Sequence, residues 1–130
     1  MVSQQKRLVI SKNLDSLNLD IFPIVIFGSG PAGMSTALEL EKKDINCLIV
    51  EAGDEYFSKN SQELYKGEII GDPLLDLSAR RLRQLGGTSG HWGGMCKPFE
   101  DYTFENWQIN FDELKPYLAK TCKILNVNNQ

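Results

Sequence analysis

Histidine, cysteine and long apolar runs are scarce in this chain, and each scarcity removes a class of function. The three cysteines, Cys47, Cys96 and Cys122, are far apart and odd in number, a spacing that supports neither a disulfide framework nor a paired set of metal ligands. No metal site is expected, and a reducing compartment suits the thiols. No uninterrupted apolar run approaches the roughly 18 residues of a membrane span. The opening stretch, MVSQQKRLVISKNLDSLNLD, has a basic pair but no apolar core of signal-peptide length. It reads as a polar lead-in, residues 1–20, on a cytoplasmic protein with no membrane partner. Basic residues are not in excess either: 14 Lys and Arg stand against 17 Asp and Glu, for a formal charge of −3 and a pI near 5.1. Without a basic stripe, a nucleic-acid partner has no electrostatic support.

What is present suits one domain or a piece of one, with 42% hydrophobic residues among 130. From Ile24 to Phe27 four apolar residues run without alternation and stop at Gly28, as a strand buried on both faces would. Pro31 suits the first turn of a helix, where its missing N–H and fixed φ cost nothing. Ala32 to Lys43 continue with good helix formers, and Gly33, Ala37 and Leu40 make a small-residue face that can lie close to a sheet. Asp44 stands where the helix ends, a place for a left-handed residue. A second strand follows, Cys47 to Val50. Strand, glycine turn, helix and strand within about thirty residues make the βαβ start of a Rossmann-like α/β fold, with parallel strands and a right-handed crossover.

Beyond it, periodicity fails from Ala52 to Asp76, which reads as a long irregular surface excursion. Leu75, Ala79, Leu82 and Leu85 suggest a helix face that ends at Gly86-Gly87. After Trp107, Asp112 can cap a C-terminal helix with Pro116 at its fourth position, and Leu114, Tyr117, Leu118, Cys122 and Leu125 line one face. The end, Asn126 to Gln130, is polar and abrupt, so the domain is expected to be incomplete.

Gly28-Ser-Gly30-Pro31-Ala32-Gly33 fits G-x-G-x-x-G, and each glycine has a mechanical task. Gly28 permits the tight turn, Gly30 leaves room for a pyrophosphate, and Gly33 lets helix and strand touch. The helix N-terminus adds unpaired N–H donors and a partial positive charge. Glu51, at the end of the next strand and twenty-three residues after Gly28, can accept hydrogen bonds from a ribose diol, with Ala52 beside it. The alternative is a βαβ turn whose glycines serve packing alone.

A second cluster runs Arg80-Arg81-Leu-Arg83-Gln-Leu-Gly86-Gly87-Thr88-Ser89-Gly90-His91-Trp92-Gly93-Gly94. Five glycines in nine residues suit no regular element, because glycine loses the most entropy on ordering; a loop pressed against something flat explains them better. Here the chain resembles the N-terminal portion of the glucose–methanol–choline family of flavin oxidoreductases, in which the nucleotide fingerprint is followed by an R-x-x-x-G-G-T-S type segment. The resemblance runs from about Ile24 to Leu125 and includes Trp107 and Phe111-Asp-Glu-Leu-Lys-Pro-Tyr117.

The resemblance implies FAD rather than NAD. Gly28, Gly30, Gly33 and Glu51 would then hold the ADP moiety, while Gly87, Thr88, Ser89, Gly93 and Gly94 would approach the pyrophosphate and isoalloxazine. Arg83 looks like the family's arginine ahead of the glycine pair, and for the other two arginines a solvated face is preferred. His91, the only histidine, matches a position that some family members tether to the flavin 8α-methyl; the alternative is a histidine beside the flavin without a bond. Trp92 and Trp107 are expected to pack rather than stack on a ligand.

The resemblance also implies hydride transfer from a CH–OH carbon of a small-molecule alcohol or sugar to flavin. Its catalytic base is a histidine near the family's C-terminus, which nothing after Cys96 can match, so catalytic residues are expected beyond Gln130. This fragment alone is expected to bury too little apolar surface to act as an enzyme. Two other readings stay open: the nucleotide-binding half of an NAD-dependent dehydrogenase, and a dinucleotide-binding module without chemistry.

Overall fold

The computed structural model of the chain describes Asn13, Asp15 and residues 17–72, 75–91 and 93–127. Most of the lead-in, Trp92 and the last three residues fall outside the described set. The chain divides into two compact units, Met1–His91 and Trp92–Gln130.

In the first unit, β1 (Ile24–Phe27) is followed by α1 (Pro31–Lys42) and β2 (Cys47–Val50). The strands pair in parallel, with Ile24 opposite Cys47 and Phe27 opposite Val50. Gly28 carries the ladder one residue further, its N–H donating to the Val50 carbonyl at 2.8 Å. Pro31 occupies the first helical position, and Asp44, with φ of 58°, turns the chain out of α1 into β2, both as the sequence suggests. Gly33, Ala37 and Leu40 are the half-buried face of α1. A Cβ on Gly33 would fall inside the envelope of the Gly28 carbonyl oxygen and crowd Ile26, so the close approach of helix to strand depends on its absence.

Two-sided burial of β1 is not what the described residues form. Ile24 and Ile26 are half-buried, but Val25 and Phe27 are exposed, Phe27 to 83%. A two-stranded sheet with one helix packed on it has a single covered face. Among the described residues, no apolar side chain reaches full burial.

The excursion after β2 is less irregular than expected, because α2 (Lys59–Glu63) forms within it, its first turn capped by the Ser58 hydroxyl, which accepts from the Ser61 N–H. The helix face expected over Leu75, Ala79, Leu82 and Leu85 is not formed: α3 (Leu77–Arg80) lasts one turn, Arg81 is extended, and Leu75 is exposed. The cause is the buried amide of Gln62. Its Nε2 donates to the carbonyls of Ser78 and Arg81, and its Oε1 accepts from the Arg83 N–H at 3.0 Å. The chain is thus held from the single turn of α3 into an extended path at Arg81. The chain then runs beside Asp54, whose carbonyl accepts from the Leu85 N–H at 2.8 Å.

The second unit carries α4 (Phe111–Leu125). Asn110, not Asp112, is its cap: the Asn110 side chain accepts from the Glu113 N–H, and the Glu113 carboxylate accepts from the Asn110 N–H, each at 3.1 Å. With the helix starting at Phe111, Pro116 lies inside it rather than among the N–H groups that lack intrahelical acceptors. Leu114, Leu118, Cys122 and Leu125 are half-buried along one face, but Tyr117 is exposed. Asn126, with φ of 53°, closes the helix. Ahead of it, Phe99, Phe104 and Trp107 meet edge to face with centroids 5.3–6.4 Å apart, so Trp107 packs as expected.

Candidate functional site

The site grows from the exit of β1. Gly28 turns there with φ of 93°, a conformation that side chains resist. Gly30 caps α1 without any side-chain hydrogen bond to the first turn, and open space surrounds the position its Cβ would take. Pro31, Ala32 and Gly33 form that first turn. A twelve-residue helix whose leading N–H groups no side chain caps, fronted by a glycine with room beside it, can receive an anion.

Glu51 leaves β2 beside this turn. Its Oε2 accepts from the Ser29 N–H at 2.9 Å and from Ser29 Oγ at 2.6 Å, and its Oε1 accepts from the Gly53 N–H at 2.7 Å. Partial burial pushes the carboxyl up, but the hydrogen bonds from the Ser29 hydroxyl, the Ser29 N–H and the Gly53 and Ala52 N–H groups outweigh it and hold Glu51 below the ordinary carboxylate value. It is therefore an anion at neutral pH. A ribose hydroxyl would donate to this carboxylate alongside the N–H and O–H groups already on it.

The second glycine cluster comes back onto this turn. Gly86 and Gly87 both have positive φ, 84° and 62°, and the Gly86 N–H donates to Ser29 Oγ at 2.8 Å. A tight turn over Gly87–Gly90 is tied by Ser89 Oγ to the Gly86 carbonyl at 2.6 Å and by the Leu82 N–H to Thr88 Oγ1 at 3.2 Å. A Cβ on Gly87 would stand 3.8 Å from the Gly30 Cα. The loop's approach is set from behind by Gln62 and by Ser61, whose hydroxyl accepts from Arg83 Nη1 at 2.6 Å.

Six of the expected site residues, Gly28, Gly30, Glu51, Ala52, Gly87 and Thr88, line one cleft of about 330 Å³. That is the small end of the roughly 300–1,000 Å³ typical of ligand sites, enough for part of a dinucleotide. Arg81 lines the cleft too, whereas the Arg83 guanidinium is engaged by Ser61. His91 is exposed at the end of the Gly87–Gly90 turn, its N–H bonded to the Thr88 carbonyl at 3.2 Å. Gly93 and Gly94 are exposed members of the second unit.

Sequence reasoning passed over Ser29, Gly53 and the Ser61-Gln62 pair. Ser29 occupies a free position of the fingerprint, yet it is 1% exposed and joins three segments. A Cβ on Gly53 would collide with the backbone of Arg83 and Gln84, so its glycine permits the crossing of the two segments. Its spacing from Glu51 was the available signal. Nothing local marked Gln62, whose partners lie sixteen or more residues away.

A parallel strand pair, a glycine turn into a helix N-terminus, and an ionised carboxylate at the end of the second strand define a dinucleotide-binding α/β unit. Residues 23–62 match the family model described as FAD binding domain. That segment holds the whole βαβ unit, Glu51 and α2 up to Gln62, and the match supports a flavoprotein of the oxidoreductase kind with FAD as its cofactor. Comparison with curated proteins and with solved structures found no match. Among the described residues, no helix is long and apolar enough to cross a membrane.

Proposed function

We propose that the chain is the FAD-binding N-terminal portion of an oxidoreductase that takes hydride from the CH–OH carbon of a small-molecule alcohol or sugar, similar to the glucose–methanol–choline family. The observation that supports this most is the return of the second glycine loop onto the fingerprint through Ser29. A nicotinamide dehydrogenase half needs only the fingerprint and the carboxylate, whereas a flavin also needs backbone able to lie against a flat ring. Gly28, Gly30 and the first turn of α1 would receive the pyrophosphate, and Glu51 the ribose. Gly87, Thr88 and Ser89 would face the flavin side. FAD, when bound, supplies the hydride acceptor; the protein residues here bind and orient it. No residue of this chain is assigned to removing the substrate proton.

The full-length parent of this segment, purified from cells, is expected to be yellow, with the absorbance bands of oxidised flavin, and to bleach anaerobically with an alcohol or sugar, whereas this segment alone, supplied with FAD, is expected to show no such reduction. A colourless protein that binds NAD⁺ and cannot be loaded with FAD would overturn the reading. Bleaching by NADPH but by no alcohol or sugar would keep the flavin and remove the substrate class.

His91 is taken as a non-covalent neighbour of the flavin, since proximity alone does not make a bond. Acid precipitation should leave the flavin in the supernatant. Flavin retained in the pellet, and lost from it in His91→Ala, would instead place a tether there.

A further inference from the structure

We propose that Ser29 is the positioning residue that locks the second glycine loop to the nucleotide carboxylate, so that nucleotide binding at Glu51 and the order of Gly86–Gly90 are coupled. The polarity of the connection is fixed by chemistry. A backbone N–H can only donate, so Ser29 Oγ accepts from Gly86 at 2.8 Å. The one hydroxyl proton of Ser29 is then committed to the Glu51 Oε2 at 2.6 Å. The Ser29 N–H donates to the same oxygen at 2.9 Å. The relay thus runs from the Gly86 amide through Ser29 to an anionic acceptor, and every bond in it points toward the carboxylate. Charge-assisted hydrogen bonds of this kind are about twice as strong as neutral ones.

Burial keeps the connection from exchanging with water, for Ser29 is 1% exposed, the lowest value among the described side chains. Gly86 also sits at φ of 84°, a left-handed conformation open to glycine, and in it the Gly86 N–H meets Ser29 Oγ. With the serine hydroxyl gone, the Gly86 N–H loses its acceptor, while the turn over Gly87–Gly90 keeps the bonds of Ser89 to Gly86, Gly87 to Gln84, His91 to Thr88 and Leu82 to Thr88, none of which reaches Glu51 or the fingerprint. Conversely, a ribose hydroxyl donating to Glu51 would fix the carboxylate and, through Ser29, the loop.

The coupling to nucleotide rests on the dinucleotide reading, but the lock itself does not, and amide exchange separates them. In protein without nucleotide, Ser29→Ala should speed exchange of the Gly86 amide tenfold or more relative to that of Met34, which bonds to Gly30 within the same turn at 3.0 Å. An unchanged ratio would overturn the lock. ADP, which has the ribose and pyrophosphate but no flavin, should slow Gly86 exchange in the unaltered protein. In Ser29→Ala it should bind severalfold more weakly and leave Gly86 unprotected. Equal protection in both would overturn the coupling. Failure of ADP and FAD to bind at all would remove the dinucleotide reading while the first comparison still judges the lock. If Ser29→Ala does not fold, Glu51→Gln serves in its place, since the neutral amide weakens the anchor of the Ser29 hydroxyl and should speed Gly86 exchange severalfold; an unchanged ratio to Met34 there would count against the proposal.

Discussion

Glu51 carries the most chemistry of any residue in the first unit, and its charge is maintained by donors rather than by a cation. Ser29 and Gly53 supply those donors from either side, which is why the carboxyl is held low in spite of partial burial. Replacing it by Gln keeps the shape but weakens hydrogen bonds to a charged group, worth roughly 1.5–3 kcal/mol, so FAD affinity should fall about ten- to a hundredfold. Titration of apoprotein with FAD checks this, and unchanged affinity would remove Glu51 from the ribose. The same depressed pKa has a consequence for stability. Because the folded value lies below the ordinary value of 4.5, the contribution is fully present above that pH and is lost as pH falls through the folded value. Urea midpoints measured downward from about pH 5 should decline in the unaltered protein and decline less in Glu51→Gln. The residue was legible from its spacing to Gly28, since a carboxylate at the end of the second strand is part of the fingerprint's geometry. Ser29 was not, because the fingerprint leaves its position free and only the fold brings Gly86 to it.

At the scale of elements, legibility followed the range of the forces involved. The strands β1 and β2, the start of α1 at Pro31 and the left-handed exit at Asp44 all depend on neighbours in the chain, and the sequence marks them. The stretch from Ala52 to Leu85 depends on the buried side chain of Gln62, whose partners are Ser78, Arg81 and Arg83, and no local period signals such bonds. Apolar spacing alone favours a helix from Leu75 to Leu85, but Gln62 engages the carbonyl of Arg81 and the N–H of Arg83 and stops it after one turn. The C-terminal helix failed by two residues for a smaller reason: Asn110 and Glu113 form a reciprocal cap, which Asp112 does not. Gln62→Leu conserves volume approximately and removes all three hydrogen bonds. With part-buried backbone groups left without partners, at up to about 1–3 kcal/mol each, it should destabilise the first unit by about 2 kcal/mol and lower exchange protection at residues 78–85. Glu63→Ala, one residue on and exposed, is the control, with an effect of about 0.5 kcal/mol or less. Equal effects from the two would mean that Gln62 does not hold the loop.

The described residues bury little apolar surface, so a bound cofactor is expected to contribute a large share of the stability. Among the described residues the wholly buried side chain is that of Ser29, a polar group inside a hydrogen-bond relay, while Val25, Phe27, Leu38 and other large apolar side chains remain exposed. Apolar burial of about 25 cal/mol per Å² is the main favourable term in most folds, and here its yield is reduced. A ligand that binds only the folded state then matters more, since it adds about 2.7 kcal/mol when present at a hundred times its Kd. FAD at that ratio is expected to raise the unfolding midpoint of the protein clearly, and NAD⁺ at the same concentration to leave it nearly unchanged. The contrast between the ligands is the informative measurement, because the fingerprint and Glu51 would serve both, whereas in the proposed function the loop over Gly86–Gly90 serves the flavin. A shift of equal size with NAD⁺ would mean that the fingerprint alone determines binding, and the second glycine loop would then have to be explained by packing against the protein itself.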